Sequence, residues 1–161
     1  MKVKKIFGAI SIVVCLITGC ASNPMAAVYS NDQKIASETN TYNLDNVDQT
    51  IEDGHFMASV DKMEGMDTIW VLDAGEDTTL DITYTLSVSS GKMKLVLINS
   101  KGEISIIVEC DTEMTEPVQR TLNVEKGNSR IKIVADKNTK FDIDISISEG
   151  DFKNLGMTSH N

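Results

Sequence analysis

Between Leu80 and Val88 the chain alternates without exception: Leu80, Ile82, Tyr84, Leu86 and Val88 are separated by Asp81, Thr83, Thr85 and Ser87. A period of two is that of a β-strand, whose successive side chains point to opposite faces, so this segment buries one face and wets the other. The same period recurs where Phe141, Ile143, Ile145 and Ile147 are set against Asp142, Asp144, Ser146 and Ser148. It recurs again in Ile104, Ile106, Val108 and Cys110, opposite Ser105 and Glu109, with Ile107 as the one apolar residue out of phase. Turn-forming residues punctuate the runs: Ser89-Ser90-Gly91-Lys92, Asn99-Ser100-Lys101-Gly102, Glu125-Lys126-Gly127-Asn128 and Asp136-Lys137-Asn138-Thr139. The pattern predicts about eight strands, near 55–62, 67–73, 78–88, 92–99, 103–110, 118–124, 129–135 and 140–148. Strands at this spacing, with no helical pattern between them, predict an all-β fold: an antiparallel β-sandwich of jelly-roll or immunoglobulin-like type. Pro24 and Pro117 fall outside the runs and interrupt no ladder.

The first twenty residues have a different character. Lys2, Lys4 and Lys5 precede an apolar run from Ile6 to Ile17 that is too short to cross a bilayer, which needs roughly 20 apolar residues. This is a signal-peptide layout. Leu16-Ile17-Thr18-Gly19-Cys20 then resembles the lipobox of bacterial lipoproteins, with an aliphatic residue three before the cysteine and small residues between. Ile17 stands where Leu is commonest in that family, with Leu16 one step earlier. The resemblance implies that signal peptidase II cuts between Gly19 and Cys20. It also implies that Cys20 carries a diacylglycerol on its sulfur and an acyl chain on its new amine. Two or three such chains, at about 0.8 kcal/mol per buried CH₂, hold a protein durably on a membrane. The expected location is therefore the extracytoplasmic face of the cell membrane, or of an outer membrane if the source has one. The alternative is an ordinary secretory signal cut at small residues near Ala21 or Ala26-Ala27.

Four regions follow: a signal peptide over 1–19, a lipid-anchored polar tether over 20–53, a β-sandwich over 54–152 and a loose tail over 153–161. Some thirty flexible residues have a root-mean-square span of about 30 Å. The formal net charge of −9 becomes −12 once the three leader lysines are removed. That acidity disfavours nucleic acid and anionic headgroups as partners. Of Cys15, Cys20 and Cys110, only Cys110 remains as a thiol after processing and lipidation, so no disulfide framework is expected. Its reading is a small buried hydrophobe on a strand.

Candidate sites are few. Asp73, Glu76, Asp77 and Asp81 surround one turn and offer oxygen ligands for a calcium ion, although their spacing matches no EF-hand; the competing reading is a solvated turn. Trp70 and Tyr84 are the aromatics to weigh as sugar-stacking platforms against core residues. Asp142 and Asp144, about 7 Å apart on one strand face, raise a paired-carboxylate hydrolase against the plain reading of a strand's polar side. His55 and His160 are the only histidines and supply neither a zinc set nor a triad. Lys92, Lys94, Arg120, Arg130 and Lys132 read as a solvated face.

With a Gly turn after a long alternating strand and a late Lys-Gly-Asn turn, the domain is similar to small sandwich domains of secreted bacterial proteins, carbohydrate-binding modules among them. The functional expectation is a non-enzymatic interaction or binding module at the cell envelope, with an envelope protein or glycan as partner and no cofactor beyond the lipid. The alternative is a carbohydrate-binding accessory or small hydrolase with a calcium-stiffened loop.

Overall fold

The computed structural model describes residues 24–113 and 116–157. The expected signal peptide, Cys20 and His160 lie outside the described residues. Among the described residues there are eight strands: β1 (Thr41–Glu52), β2 (His55–Ala74), β3 (Thr78–Ser90), β4 (Met93–Ile98), β5 (Ile104–Cys110), β6 (Val118–Val124), β7 (Gly127–Ile147) and β8 (Phe152–Asn154). All pairings between them are antiparallel.

Two strands, β2 with 20 residues and β7 with 21, are long enough to run through both layers of the sandwich. The first half of β2 pairs with the second half of β7 (Phe56 with Ile145), in a layer ordered β1-β2-β7-β3-β6. Their other halves pair in turn (Trp70 with Ile131), in a layer ordered β5-β4-β7-β2-β8. The runs read from sequence as 55–62 with 67–73, and as 129–135 with 140–148, are thus single strands that turn a corner.

The corner is made by irregular register: it shifts between Val60 and Met63 and again between Met63 and Gly65, where β7 runs from Ala135 to Thr139. Bulges of this kind let one strand serve two packed sheets. Gly65 adopts φ +105, and a Cβ there would collide with the Thr41 carbonyl oxygen, so this position requires glycine.

The layers close on one another through the faces that the alternation anticipates. Leu80, Ile82, Tyr84, Leu86 and Val88 from β3 and Phe141, Ile143, Ile145 and Ile147 from β7 join Trp70, Leu72, Met93, Leu95, Leu97, Ile131 and Ile133 in one core. Ile107 is explained by a bulge: Leu95 opposes Val108 and Val96 opposes Ile106, leaving Ile107 as the extra residue. Ile107 turns inward at 2 % exposure and Ile106 outward at 52 %, correcting the inward face expected for Ile106.

The expected tether is the main correction. Within 24–53, a 3₁₀ turn at Ala26–Val28 and a one-turn helix, α1, at Asp32–Ile35 lie across the outside of the second layer, and Thr41–Glu52 is β1. Val28, Tyr29 and Ile35 cover Met66, Val96, Ile98 and Val134, forming a second apolar cluster. This is why all six residues of β4 are buried: both of its faces are covered. The supposed tail is also structured in part, since β8 pairs with β2 and Met157 is buried.

The strap is held by polar contacts that a solvated basic face would not make. Lys132, fully buried, donates to the carbonyls of Ser37 (2.7 Å) and Thr39 (3.1 Å), and Arg130 donates to that of Ala36 (3.0 Å). Thr68 donates from its backbone N–H and its hydroxyl to Asn40 Oδ1. The Tyr29 hydroxyl donates to Glu109 at 2.6 Å, while the Lys92 and Lys94 ammonium groups lie 4.5 and 4.8 Å from its ring centroid. Burial, then Glu109, raise the Tyr29 pKa above its ordinary value.

Two outcomes follow from these contacts. Gly65→Ala is expected to cost about 3 kcal/mol in urea unfolding, from an unfavourable φ and a backbone collision. Burial, and next the Arg130 charge, lower the Lys132 pKa from 10.5 to about 8, with Asp67 opposing. Between those values the unfolded chain binds the extra proton, so stability rises with pH. The urea midpoint is expected to move upward from pH 8 to 9.5, by about 1 kcal/mol in free energy, and Lys132→Met to lack that rise.

Candidate binding cleft

At the end of the sandwich where β2 passes into β3, the turn Gly75–Asp77 stands beside the turn that follows β7. Pairing of β8 with β2 holds the second turn in place, and the Asp73 N–H donates to the Asp151 carbonyl at 2.9 Å. Gly150, at φ +135, lets this turn close on Leu80: a Cβ there would sit 2.9 Å from Leu80 Cδ2. Between the turns lies an open cleft of about 470 Å³. Its floor is aliphatic, from Leu72, Ala74, Leu80 and Val124, and its walls carry Asp73, Glu76, Glu149 and Asp151 with Thr78 and Thr79. An apolar floor with a few polar groups at this volume is the usual make-up of a small-ligand site. A second depression of about 480 Å³ shares Thr78, Thr79 and Val124 and adds Asp77, Asn123 and Glu125.

The four acids that suggested calcium lie in three different places. Asp73 and Glu76 line the cleft. Asp77 accepts from the Lys126 backbone N–H at 2.8 Å, and Asp81 accepts from the Thr121 hydroxyl at 2.6 Å on the outer face of the first layer. Among the described residues no group of three or more His, Cys, Asp or Glu is placed to hold a metal ion. The proposed calcium set is therefore not one site. Glu149 and Asp151, which do join Asp73 and Glu76, were missed: they follow the last alternating run and meet the first turn only through β8.

Trp70 and Tyr84 are 0 % and 1 % exposed, so neither offers a ring to a sugar. Trp70 packs edge-on against Phe152, with centroids 5.9 Å apart. Cys110 is buried and donates to the Thr112 carbonyl, as a structural thiol does. Asp142 and Asp144 lie exposed on the outer face of the first layer, where cross-strand register aligns Asp48, Ser59, Asp142 and Ser87 in one row. The neighbouring row contains Thr50, Met57, Asp144 and Thr85, and His55 Nε2 lies 2.8 Å from Asp144 Oδ1. This face is polar and open, and it is not part of the cleft.

No protein-family model matches the chain, and no curated protein matches it. Among solved structures it is similar to a carbohydrate-binding module of Cellvibrio mixtus lichenase 5A in complex with cellotriose, at 13% identity over 69% of this chain and 91% of that one, with a TM-score of 0.41. It is also similar to a family 35 carbohydrate-binding module from an environmental isolate, at 12% identity over 74% and 91% of the two chains, with a TM-score of 0.38. A family 29 module mutant complexed with mannohexaose gives 15% identity over 68% and 92%, with a TM-score of 0.37. The chain is an antiparallel β-sandwich by its own strand pairing, and at these scores no binding residue passes from these neighbours to it.

Proposed function

We propose that this chain is a lipid-anchored, non-catalytic binding module of the cell envelope whose end cleft takes a polyhydroxyl ligand of glycan type. The anchor rests on the lipobox residues ending at Cys20. The ligand class rests on the cleft: carboxylates on the walls, two threonine hydroxyls and an aliphatic floor in one open depression. A sugar presents hydroxyls that donate to carboxylate oxygens in charge-assisted bonds, and C–H faces that rest on aliphatic side chains. In this reading the wall carboxylates of Asp73, Glu76, Glu149 and Asp151 serve as hydrogen-bond acceptors for ligand hydroxyls. Glycans are also the ligands named for the structural neighbours, but the reading depends on the cleft chemistry.

Calorimetric titration of the folded domain with soluble cello- and manno-oligosaccharides tests the ligand class. The expected result is saturable binding, weakened about tenfold or more by Glu76→Gln or Asp151→Asn with thermal stability unchanged, since each loses a charged hydrogen-bond acceptor at an exposed site. Failure to bind any member of a broad glycan array, or binding indifferent to both substitutions, would contradict it. Mass spectrometry of the processed protein tests the anchor: a glyceride on Cys20 is expected, and Cys20→Ala should leave the membrane fraction.

A further inference from the structure

Residues 24–40, which a thirty-residue tether would leave free, are spent on the fold. Val28 is 0 % and Tyr29 4 % exposed, and the strap ends in the backbone contacts made by Arg130 and Lys132. Three residues, Ala21, Ser22 and Asn23, separate Cys20 from the first described residue, Pro24, and the four Cα–Cα steps between them can span at most about 14 Å. A tether from Cys20 to Asp53 would instead reach roughly 115 Å.

The strap also enters at a defined end. Tyr29 lies against Lys92, Lys94 and Glu109, at the start of β4 and the close of β5, where Met93 pairs with Ala135. The cleft lies at the other end of the same layer, where Ala74 pairs with Gly127. Eight residues of β7 separate Ala135 from Gly127, about 26 Å at strand rise.

We infer that the end of the second layer bearing Tyr29, Lys92 and Lys94 is held against the lipid surface in which Cys20 is anchored, and that the cleft is presented outward from the membrane. This rests on the lipid-anchor part of the proposed function and adds a fixed orientation to it. The occupant of the entry end is the outer surface of the bilayer, because the three residues between Cys20 and Pro24 keep the start of the strap within about 14 Å of the anchored cysteine. Orientation then governs what the cleft can meet: a ligand arriving from outside reaches it directly, and one embedded in the same leaflet does not.

The test uses the mature lipidated protein in phosphatidylcholine vesicles doped with headgroup spin-labelled lipid. One fluorophore is attached at Lys137→Cys, exposed at the corner of β7 beside Lys92, whose carbonyl accepts from the Asp136 N–H. Another is attached at Gly75→Cys, where a Cβ meets nothing within 4 Å. Both carry Cys110→Ser, so that each variant has one reactive thiol. The expected result is quenching at position 137 several-fold stronger than at 75, with the difference lost when a long Gly-Ser insert separates Ser22 from Asn23. Equal quenching at the two positions in vesicle-bound protein without the insert would overturn the orientation and leave the anchor standing. Failure of the wild-type protein to associate with vesicles, with no glyceride in its mass, would overturn the anchor and the orientation together.

Discussion

Everything in this fold depends on β2 and β7 staying paired through a corner. Because each strand belongs to both layers, one antiparallel pairing fixes the position of every other strand: β1, β3 and β6 on one side of the bend, β4, β5 and β8 on the other. The bend is possible only where the ladder is irregular, near Met63 and Gly65 opposite Ala135 to Thr139. A regular ladder would keep twisting as one open sheet and leave the apolar faces of β3 and β4 without a partner. The bend lets Leu86 and Leu95, from opposite layers, share one core.

The strands with one wet face were legible because alternation is a local signal. Leu80 to Val88 and Phe141 to Ile147 have the burial that their period demands. Strands covered on both faces were legible as apolar runs, but their continuity was not: the strand pattern breaks between 62 and 67, and Asp136 to Thr139 reads as a turn because its residues are polar. The strap was illegible for a related reason. It buries only Val28, Tyr29 and Ile35 in two single-turn pieces, and such short elements carry no period. The basic residues that hold it looked like a solvated face because alternation places Arg130 and Lys132 outward, and outward is where the strap lies.

The cleft was half legible for the same cause. Asp73 and Glu76 belong to a turn between consecutive strands, which sequence order brings together. Glu149 and Asp151 join them only because β8 adds to the edge of β2, a contact between residues about eighty positions apart. Sequence proximity also misgrouped Asp77 and Asp81: one lies in the adjoining depression, and strand alternation turns the other to the outside of the first layer. The aromatic residues show the reverse case. Trp70 and Tyr84 are the kind of side chain that stacks on sugars, and both are consumed by the core, whereas the cleft presents carboxylates, threonines and an aliphatic floor.

Two surfaces compete for the role of recognition face, the end cleft and the open polar face that includes Asp48, Ser59, Asp142 and Asp144. Amide chemical-shift mapping with a saturating oligosaccharide separates them in a single experiment. Binding in the end cleft predicts that the perturbed amides cluster between residues 72 and 80 and between 149 and 151. Perturbation centred instead on β1, the first half of β2 and the second half of β7, with the cleft turns silent, would contradict it.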